Sequence, residues 1–453
     1  MKEGYLEAYR IGNFFFGGCH LFSDNGCHFM LSANGCVMIV DDELLESIRK
    51  QKPSEELQFK LVQHGLASVP GKQMFRCEKE VEVRYFIIDL TKHCNFDCIY
   101  CFRDFHNTDT ISFDVLEKIL QYILNYCHKE SVSRIGLQMW GGEPLLALDR
   151  IEFVVDFFQH TSLSVTIDIE TNASLITDEI AKKLFNWKIH IGISMDGTPE
   201  LHNCQRRMVS GKPSAEVVER GIRNLQKYYG EDIGGITVVT KHNYKYVKEI
   251  LDYFIYTLHL TSMKFNLVRD NDHAPEQKLA LDEKDVFWFA NELMDYLQAY
   301  RCLGANFSEG NIEVRAKNLL QRSNMSCCIS HGCQGGRKMV SFDHEGNIFP
   351  CEMIDFPEEK IGSIYEKDSI EIMVNKAAQQ NKFFLPKKDE RCKECPWWYY
   401  CQGGCSSRNR YLNRDGQIDE VECALNRSIY PRLIQEILNG NICLLYTSPS
   451  PRD

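Results

Sequence analysis

"HCNFDCIYCF", residues 93–102, places three cysteines in the spacing Cys-x3-Cys-x2-Cys. Cys94, Cys98 and Cys101 are too few to complete a four-coordinate zinc site by themselves. They are also too closely spaced for an ordinary disulfide framework, which needs paired cysteines. Three thiols in one tight loop therefore indicate a metal centre in which one coordination position is left open.

The segment before this loop, "EVRYFIIDL" at residues 82–90, is apolar and rich in β-forming residues. Strand-like and helix-like segments alternate after it, which predicts six β/α repeats. This alternation is typical of an α/β fold, here a partial (β/α)6 TIM-like barrel with a parallel sheet and right-handed crossovers. The cysteine loop would then lie at the C-terminal ends of the strands, where such barrels carry their chemistry. The predicted strands are residues 82–90, 133–140, 163–170, 188–195, 234–240 and 262–268.

Residues 1–80 predict a small N-terminal α+β unit that precedes the barrel. Asn34-Gly35 favours a tight hairpin turn, because this pair readily adopts positive φ. Asp41 or Asp42 can cap one short helix, and Ser54 can cap a second. The unit is therefore predicted to contain a hairpin followed by two helices.

Three further boundaries follow from the pattern of the chain. Residues 81–300 form the predicted barrel. Residues 301–442 read as a linker and an irregular, Cys-rich C-terminal domain that is organised by ligands more than by a periodic core. The last segment, "CLLYTSPSPRD" at residues 443–453, resembles the translation of a sequencing adapter and is left out of the fold prediction.

The composition limits the classes of function. A net charge of −11 and a pI near 5.8 argue against a broad nucleic-acid or anionic-membrane surface. No apolar run approaches the roughly 20 residues that a membrane span needs, and the N-terminus lacks the pattern of a secretory signal. We therefore expect a cytoplasmic protein. In that reduced compartment its 20 cysteines are metal ligands or packing residues rather than disulfides.

A second set of cysteines lies in the C-terminal third. Cys-x2-Cys-x5-Cys-x3-Cys begins at Cys392 and is followed by x17-Cys423, and Cys333-x12-Gly346-x4-Cys351 precedes it. Eight ligands would suit two metal centres. Because Cys-x2-Cys is also a zinc-ribbon spacing, the residues alone leave a pair of zinc sites open as an alternative.

The motif Cys-x3-Cys-x-aromatic-Cys, with Tyr100 as the aromatic residue, resembles that of the radical S-adenosylmethionine (SAM) superfamily. The resemblance implies a [4Fe-4S] cluster on Cys94, Cys98 and Cys101 whose open iron binds SAM. An electron from the cluster then cleaves SAM, and the 5′-deoxyadenosyl radical removes a hydrogen atom from the substrate. A flavodoxin-type or ferredoxin-type protein is the expected electron donor.

Later motifs extend this resemblance along successive strand ends. "WGGEPLL" matches the family motif that contacts the SAM amino group, "ETNA" falls where the ribose is contacted, and "ISMDG" follows the next strand. Arg206 could clamp the SAM carboxylate. The implied SAM-binding residues are Tyr100, Gly141, Gly142, Glu143, Pro144, Thr171, Asn172, Ser194, Asp196 and Arg206.

The second cysteine set resembles the SPASM extension of radical SAM enzymes, which holds two auxiliary [4Fe-4S] clusters. Cys328, beside Cys327, leaves the first ligand ambiguous. The resemblance implies that the first cluster is bound by Cys327, Cys333, Cys351 and Cys405. It implies that the second is bound by Cys392, Cys395, Cys401 and Cys423.

The expected reaction is the oxidation or crosslinking of side chains in a ribosomally made precursor peptide, since relatives with two auxiliary clusters mostly modify peptides or proteins. Glu352 takes the place of the Asp that serves as general base in sulfatase-maturing members. It is either a proton acceptor or a carboxylate that merely lies near a cluster. The N-terminal unit either grips a leader peptide or caps the barrel. The alternatives are a sulfatase-type protein maturase, an enzyme acting on a small molecule, and a non-catalytic zinc protein that binds peptides.

Overall fold

The structure, a computed structural model, describes residues 1–69, 81–103, 107–231, 233–268, 279–321, 333–354, 356–379, 388–411 and 417–444. Cys327, Cys328 and residues 445–453 lie outside this range, so their predicted roles stay predictions. Within the range, every helix is too short or too polar to cross a lipid bilayer.

The N-terminal residues form two small antiparallel sheets and two helices. Their elements are β1 (Lys2–Leu6), β2 (Tyr9–Ile11), β3 (Phe14–Phe16), β4 (Cys19–Asp24), β5 (Cys27–Leu31), β6 (Val37–Asp41), α1 (Asp42–Arg49), α2 (Glu55–Gln63) and β7 (Ala67–Ser68). One sheet has the order β1-β4-β5-β6 and the other β2-β3-β7. The predicted hairpin is confirmed, since β5 and β6 pair across the turn at Gly35, where φ is +72°. Asp41 and Ser54 cap α1 and α2, as predicted.

The barrel follows the predicted alternation of strands and helices. Its elements are β8 (Tyr85–Thr91), β9 (Phe96–Cys98), α3 (Phe113–Glu130), β10 (Arg134–Gly141), a 3-10 helix (Pro144–Ala147), α4 (Leu148–Gln159), β11 (Ser164–Thr171), α5 (Asp178–Asn186), β12 (His190–Ser194), α6 (Pro199–Gln205), β13 (Arg206–Met208), α7 (Ala215–Tyr229), β14 (Gly234–Val239), α8 (Val247–Asp252), a short π-helix (Tyr253–Thr257), β15 (Ser262–Leu267) and α9 (Glu283–Cys302). The strands β8, β10, β11, β12, β14 and β15 lie side by side and parallel. The predicted partial barrel is confirmed.

Local sequence explains these elements. β8 is buried from Phe86 to Thr91, as expected for a parallel strand that is covered on both faces. In α3 the buried side chains Leu116, Ile119, Leu120 and Ile123 recur at helical spacing and form one face against the sheet. The strand ends, where each chain leaves the sheet, are thereby held next to each other.

The C-terminal third extends the same sheet. Its elements are β16 (Ser308–Glu309), α10 (Gly310–Gln321), β17 (Met339–Phe342), β18 (Asn347–Phe349), a 3-10 helix (Pro357–Glu359), β19 (Gly362–Ser363), α11 (Ile370–Gln379), a 3-10 helix (Glu390–Cys392), α12 (Trp398–Cys401), α13 (Ser406–Tyr411), α14 (Glu420–Leu438) and a 3-10 helix (Ile442–Leu444). In the described residues the sheet order is β16-β15-β14-β12-β11-β10-β8-β17-β18-β19. β17 pairs with β8 in parallel, so the Cys-rich segment is joined to the strand that leads into the first cysteine loop.

The N-terminal unit packs on the Cys-rich segment through aromatic side chains. Phe22 stacks on Trp397 at a centroid distance of 5.4 Å, and Trp397 stacks on Tyr430 at 5.0 Å. The Tyr400 hydroxyl donates to the Gly35 carbonyl over 3.0 Å. The N-terminal unit therefore covers the helices that carry part of the second cysteine set.

Candidate functional site

The first cysteine loop is held in place by a short two-stranded sheet. β9 pairs antiparallel with β13, which sets Cys98 opposite Arg206. The three cysteines of this loop line one cavity of about 450 Å³, together with residues from five of the six barrel strands and with Lys92, which directly follows the sixth strand, β8. Burial raises the pKa of Cys94 to about 12 and raises that of Cys98 as well, and the neighbouring thiols add to both shifts. Three half-buried cysteines that line one cavity fit an iron–sulfur cluster, whose iron ions would hold them as thiolates.

Gly141 and Gly142, at the end of β10, allow its backbone to lie in direct contact with the backbone at the end of β8. A Cβ atom at Gly141 would lie 2.4 Å from the Thr91 carbonyl oxygen, and one at Gly142 would lie 2.4 Å from that of His93. The backbone amide of Gly142 donates to the Thr91 carbonyl over 2.8 Å. Glycine is therefore required here because the two backbones touch. Pro144 then begins a 3-10 helix at its first position.

Glu143 joins the second strand end to the third. Its carboxylate accepts hydrogen bonds from the Thr171 hydroxyl over 2.7 Å, the Asn172 amide over 2.8 Å and the Leu145 amide over 3.1 Å. Burial raises the pKa of Glu143, and these hydrogen bonds oppose the shift. Glu143 therefore positions Thr171 and Asn172, and its predicted contact with the SAM amino group stays a prediction.

Asn172 holds the cysteine loop from the third strand end. Its side-chain amide donates to the side-chain oxygen Oδ1 of Asn95 over 2.8 Å, and the side-chain nitrogen Nδ2 of Asn95 donates to the Ser174 hydroxyl over 2.9 Å. Asn95 follows Cys94 directly, so this pair of bonds fixes the loop next to its first thiol. The predicted contact of Asn172 with a ribose is not tested by this geometry.

Asp196 holds the same loop from the fourth strand end. The Tyr100 hydroxyl donates to its Oδ2 atom over 2.6 Å, and the amide of Val238 donates to its Oδ1 atom over 2.9 Å. Arg206 lies over the Tyr100 ring, 5.4 Å from its centroid. Ser194, two residues earlier, is half-buried and lines the cavity. The residues predicted to bind SAM thus form the frame that positions the cysteine loop.

Part of the second cysteine set lines the same cavity. Cys333, Cys351, Cys405 and Cys401 line it together with the first loop. Burial is the main cause of the raised pKa of the Cys333 thiol, and the charge of Cys405 raises it further. These two sulfur atoms are therefore close. The structure therefore brings together the three described members of the first predicted auxiliary set.

The other four predicted ligands lie next to one another. Burial is the main cause of the raised pKa of the Cys392, Cys401 and Cys423 thiols. The charge of Cys395 further raises the pKa of Cys392 and Cys423, and the charge of Cys423 further raises that of Cys401. Among the described residues, no group of three or more His, Cys, Asp or Glu side chains is placed so that it could hold a single metal ion. A cubane cluster does not need such an arrangement, because each of its irons takes one thiolate.

Two cavity carboxylates and one lysine form a cluster that the sequence analysis only partly identified. Glu170, from β11, lies with Lys264, from β15, and with Glu352 inside the cavity. Burial raises the pKa of Glu170 to about 7, with Glu352 and Asp168 adding to the shift and Lys264 opposing it. Glu170 was missed because its neighbours come from distant parts of the chain. Its place directly before Thr171 was the one available signal.

Trp140 was also missed. It lines the cavity, and its indole Nε1–H has no hydrogen-bond partner among the described residues. A buried N–H donor without a hydrogen-bond partner lowers the stability of the folded protein. The indole N–H of Trp140 is therefore available to donate a hydrogen bond to a molecule in the cavity. Its position beside "GGEP" in the sequence was the available signal.

Comparisons with known proteins match two parts of the chain to family models. Residues 88–254 match the Radical SAM superfamily, and residues 333–396 match an iron-sulfur cluster-binding domain, SPASM. A cysteine-type anaerobic sulfatase-maturating enzyme of Clostridium novyi is 27% identical over 357 residues, which cover 77% of this chain and 94% of that protein.

Two solved structures share the fold. One is anSMEcpe with bound AdoMet and Kp18Cys peptide, with a TM-score of 0.67, 24% identity and coverage of 79% of this chain and 99% of that one. The other is Streptococcus suis SuiB bound to precursor peptide SuiA, with a TM-score of 0.56, 16% identity and coverage of 87% and 96%. At these identities the likeness concerns the fold alone.

Proposed function

We propose that this chain, a radical SAM enzyme with a C-terminal SPASM domain, oxidises or crosslinks side chains of a ribosomally made peptide. Its domains imply a SAM-binding [4Fe-4S] cluster and auxiliary clusters. When bound, these cofactors supply the radical that removes a hydrogen atom and an acceptor for the remaining electron. The relatives named above include a sulfatase maturase and a structure that holds a precursor peptide.

One observation carries the proposal: cysteines of the first loop and of the second set line a single cavity. A substrate side chain in that cavity can lie between the two. This placement suits an oxidation in which hydrogen removal is followed by loss of an electron and a proton. Glu352 and Glu170 lie in the same cavity and are the groups we assign to accept that proton.

The N-terminal unit offers a place for the leader of the peptide. Among the described residues β6 pairs with β5 alone, so its other edge is available for a further strand. Met38 and Val40 point into the core, whereas Ile39 between them is 50% exposed. An extended peptide could add to this edge through backbone hydrogen bonds and contact Ile39 with a side chain.

Formylglycine-type oxidation is the second candidate, and the identity to the Clostridium novyi enzyme favours it. The Glu at position 352 argues against it, since the sulfatase-maturing pattern has an Asp there. The zinc alternative gains no support, because both matched domains belong to iron–sulfur families.

The test uses the full chain, reconstituted anaerobically with iron and sulfide, reduced by dithionite and supplied with SAM. The probes are a short candidate precursor peptide, chosen by sequencing the genes next to this one, and a cysteine-containing sulfatase peptide. We expect the first peptide to lose two hydrogen atoms per modification, seen by mass spectrometry, and the second to be unchanged. Conversion of the sulfatase peptide alone would favour the second candidate. No conversion of either peptide, with SAM cleavage intact, would favour a small-molecule substrate.

A further inference from the structure

Trp140 lies on the inner face of the barrel, one residue before the Gly-Gly pair. Side chains of a strand alternate between its two faces, and Leu137 and Met139 of β10 belong to the apolar core that includes α3. Gln138 and Trp140 take the opposite face and line the cavity. The indole Nε1–H is buried and has no hydrogen-bond partner among the described residues. The cavity wall therefore carries a donor that a bound molecule can satisfy.

Arg103 lies beside this indole and is held by a residue of the adjacent strand. Its Nη1 donates to Oδ2 of Asp89 over 2.8 Å, and both side chains are nearly buried. Its guanidinium carbon lies 5.9 Å from the centroid of the Trp140 ring. Asp89 and Trp140 are direct partners in the parallel register of β8 and β10. The strand pairing therefore brings these three side chains together, and Arg103 lines the cavity with Trp140.

Trp140 also packs against the C-terminal third of the chain. It lies against a small buried cluster whose members are Ile87, Met339, Cys351 and Ile354. Arg103, on which the ring also borders, stands two residues after Cys101. Trp140 is thus placed between the end of the first cysteine loop and the segment that carries Cys351. The substrate, rather than SAM, is the molecule that the proposed function places between these two parts of the chain.

The chemistry of Trp140 and Arg103 determines the kind of group that they can bind. An indole N–H and a guanidinium are donors only, so the ligand must supply an acceptor. A guanidinium has five N–H donors, and it can therefore serve Asp89 and a ligand at the same time. Because Asp89 compensates the charge of Arg103, the pair has no net charge with which to hold an anion. A neutral acceptor is favoured, and the one that every peptide carries is the carbonyl group of its backbone.

We infer that Trp140 and Arg103 bind a backbone carbonyl of the substrate peptide next to the residue that is modified. Asp89 is a positioning residue, since it acts through Arg103. This inference rests on the proposed function for the peptide nature of the substrate, and it names the group by which the cavity holds that peptide. A contact to the backbone fixes the modified residue in the cavity without requiring a particular neighbouring side chain.

The experiment measures peptide binding to the full chain, reconstituted with iron and sulfide and saturated with SAM, in the absence of a reductant. The probe is the candidate precursor peptide, and calorimetric titration gives its Kd. Trp140→Phe removes the N–H donor and keeps an aromatic ring in the cavity. Its matched control is Trp288→Phe on α9, where the side chain is 41% exposed. Arg103→Met is combined with Asp89→Asn, so that no unpaired carboxylate stays buried.

We expect Trp140→Phe to raise the Kd for the peptide roughly three- to tenfold, the range for one lost hydrogen bond. The double variant should raise it at least as much. The Kd for SAM, measured by equilibrium dialysis, and the iron content should stay at wild-type values in both proteins. Trp288→Phe should match the wild type throughout.

Three results would overturn the inference. The first is an unchanged Kd for the peptide in Trp140→Phe. The second is an equal rise in the Kd for SAM, which would assign the indole donor to SAM. The third is loss of iron from the double variant, which would assign Arg103 to the assembly of the first cysteine loop.

A second measurement identifies the acceptor. Tandem mass spectrometry locates the modified residue after turnover, and peptides are then made with a single thioamide on either side of it, because sulfur accepts hydrogen bonds more weakly than oxygen. One of these thioamides should weaken binding to the wild type and have no further effect in Trp140→Phe. Equal effects in the two proteins at both positions would overturn the contact with a backbone carbonyl. A wild type that binds no candidate peptide would instead count against the proposed function, and the inference would fall with it.

Discussion

The guanidinium of Arg206 donates from Nε to the Oδ2 atom of Asp196 over 3.1 Å. Both residues are buried, and the same carboxylate oxygen accepts the hydroxyl of Tyr100 from within the cysteine loop. The pair therefore connects the fourth strand end to the loop that we propose binds the first cluster. Arg206 also lines the cavity, so its predicted contact with the SAM carboxylate is compatible with this position.

Asp196→Asn tests that pair. The substitution keeps the shape of the side chain but leaves the Arg206 charge buried without its partner, which typically costs about 3 kcal/mol or more. We expect the free energy of unfolding to fall by that amount, with weaker SAM binding by equilibrium dialysis. The control is Tyr100→Phe, which removes the hydrogen bond to the Asp196 carboxylate but leaves the ion pair, and it should cost about 2 kcal/mol. Equal stability of Asp196→Asn and wild type would contradict the structural role of the pair.

Cys395→Ala separates the auxiliary clusters from SAM cleavage. Three cubanes correspond to roughly twelve irons per chain, and this variant should lose about four of them. Because Cys395 lies outside the barrel, the variant should still form 5′-deoxyadenosine from SAM in the absence of substrate. The measurements are iron content and chromatography of the nucleoside product. Peptide modification at the wild-type rate would show that the second auxiliary cluster has no part in turnover.

Glu170 predicts a pH-dependent stability with a defined sign. Its pKa in the folded protein is about 7, raised mainly by burial above the ordinary value of 4.5. A carboxyl group with a raised pKa binds its proton more tightly in the folded chain. The stabilisation of the folded state that this proton gives is therefore fully present below the ordinary pKa of 4.5 and is lost as the pH rises through 7. Relative to Glu170→Gln, the wild type should lose about 2 kcal/mol between roughly pH 5 and pH 8.

Urea unfolding of both proteins across this range measures the difference. Glu179→Gln is the control. The pKa of the exposed Glu179 carboxylate is lowered by the Thr177 hydroxyl, so its contribution to stability is lost as the pH falls, which is the opposite direction to Glu170. A wild type and a Glu170→Gln variant with parallel pH profiles would refute the burial of Glu170 as described.

The edge of β6 gives a prediction on peptide binding. Ile39→Glu places a charge at the centre of the proposed leader site, and we expect the apparent KM for the precursor to rise at least tenfold with little change in kcat, because leader contacts are remote from the reacting bond. Leu303→Glu is the matched control, since that side chain is 77% exposed at the end of α9. Deleting the whole unit would be a less selective test, because Phe22 packs on Trp397. Unchanged affinity in Ile39→Glu would leave the unit as a structural cap.

Local patterns predicted the barrel because β8 reads as an apolar run that is buried on both faces, and because strands such as β11, β14 and β15 carry a buried residue at every second position. The motif residues were found because each stands directly after such a run. Sequence did not predict that Asn172 and Asp196 contact Asn95 and Tyr100, since these partners are far apart in the chain. Nor did it predict α14, whose buried positions include Asn426 and Ser428, because a helix covered on several sides lacks a simple apolar face.

Transfer of deuterium tests the central claim most directly. The wild-type enzyme is reduced in the presence of SAM and a perdeuterated form of the candidate precursor peptide, and the 5′-deoxyadenosine is examined by mass spectrometry. The control carries Cys94, Cys98 and Cys101 changed to Ala and should form no 5′-deoxyadenosine. We predict that the wild-type product carries one deuterium atom, and that the peptide loses this carbon-bound deuterium and one further hydrogen, which leaves as a proton. Formation of unlabelled 5′-deoxyadenosine beside an unmodified peptide would contradict hydrogen removal from that peptide.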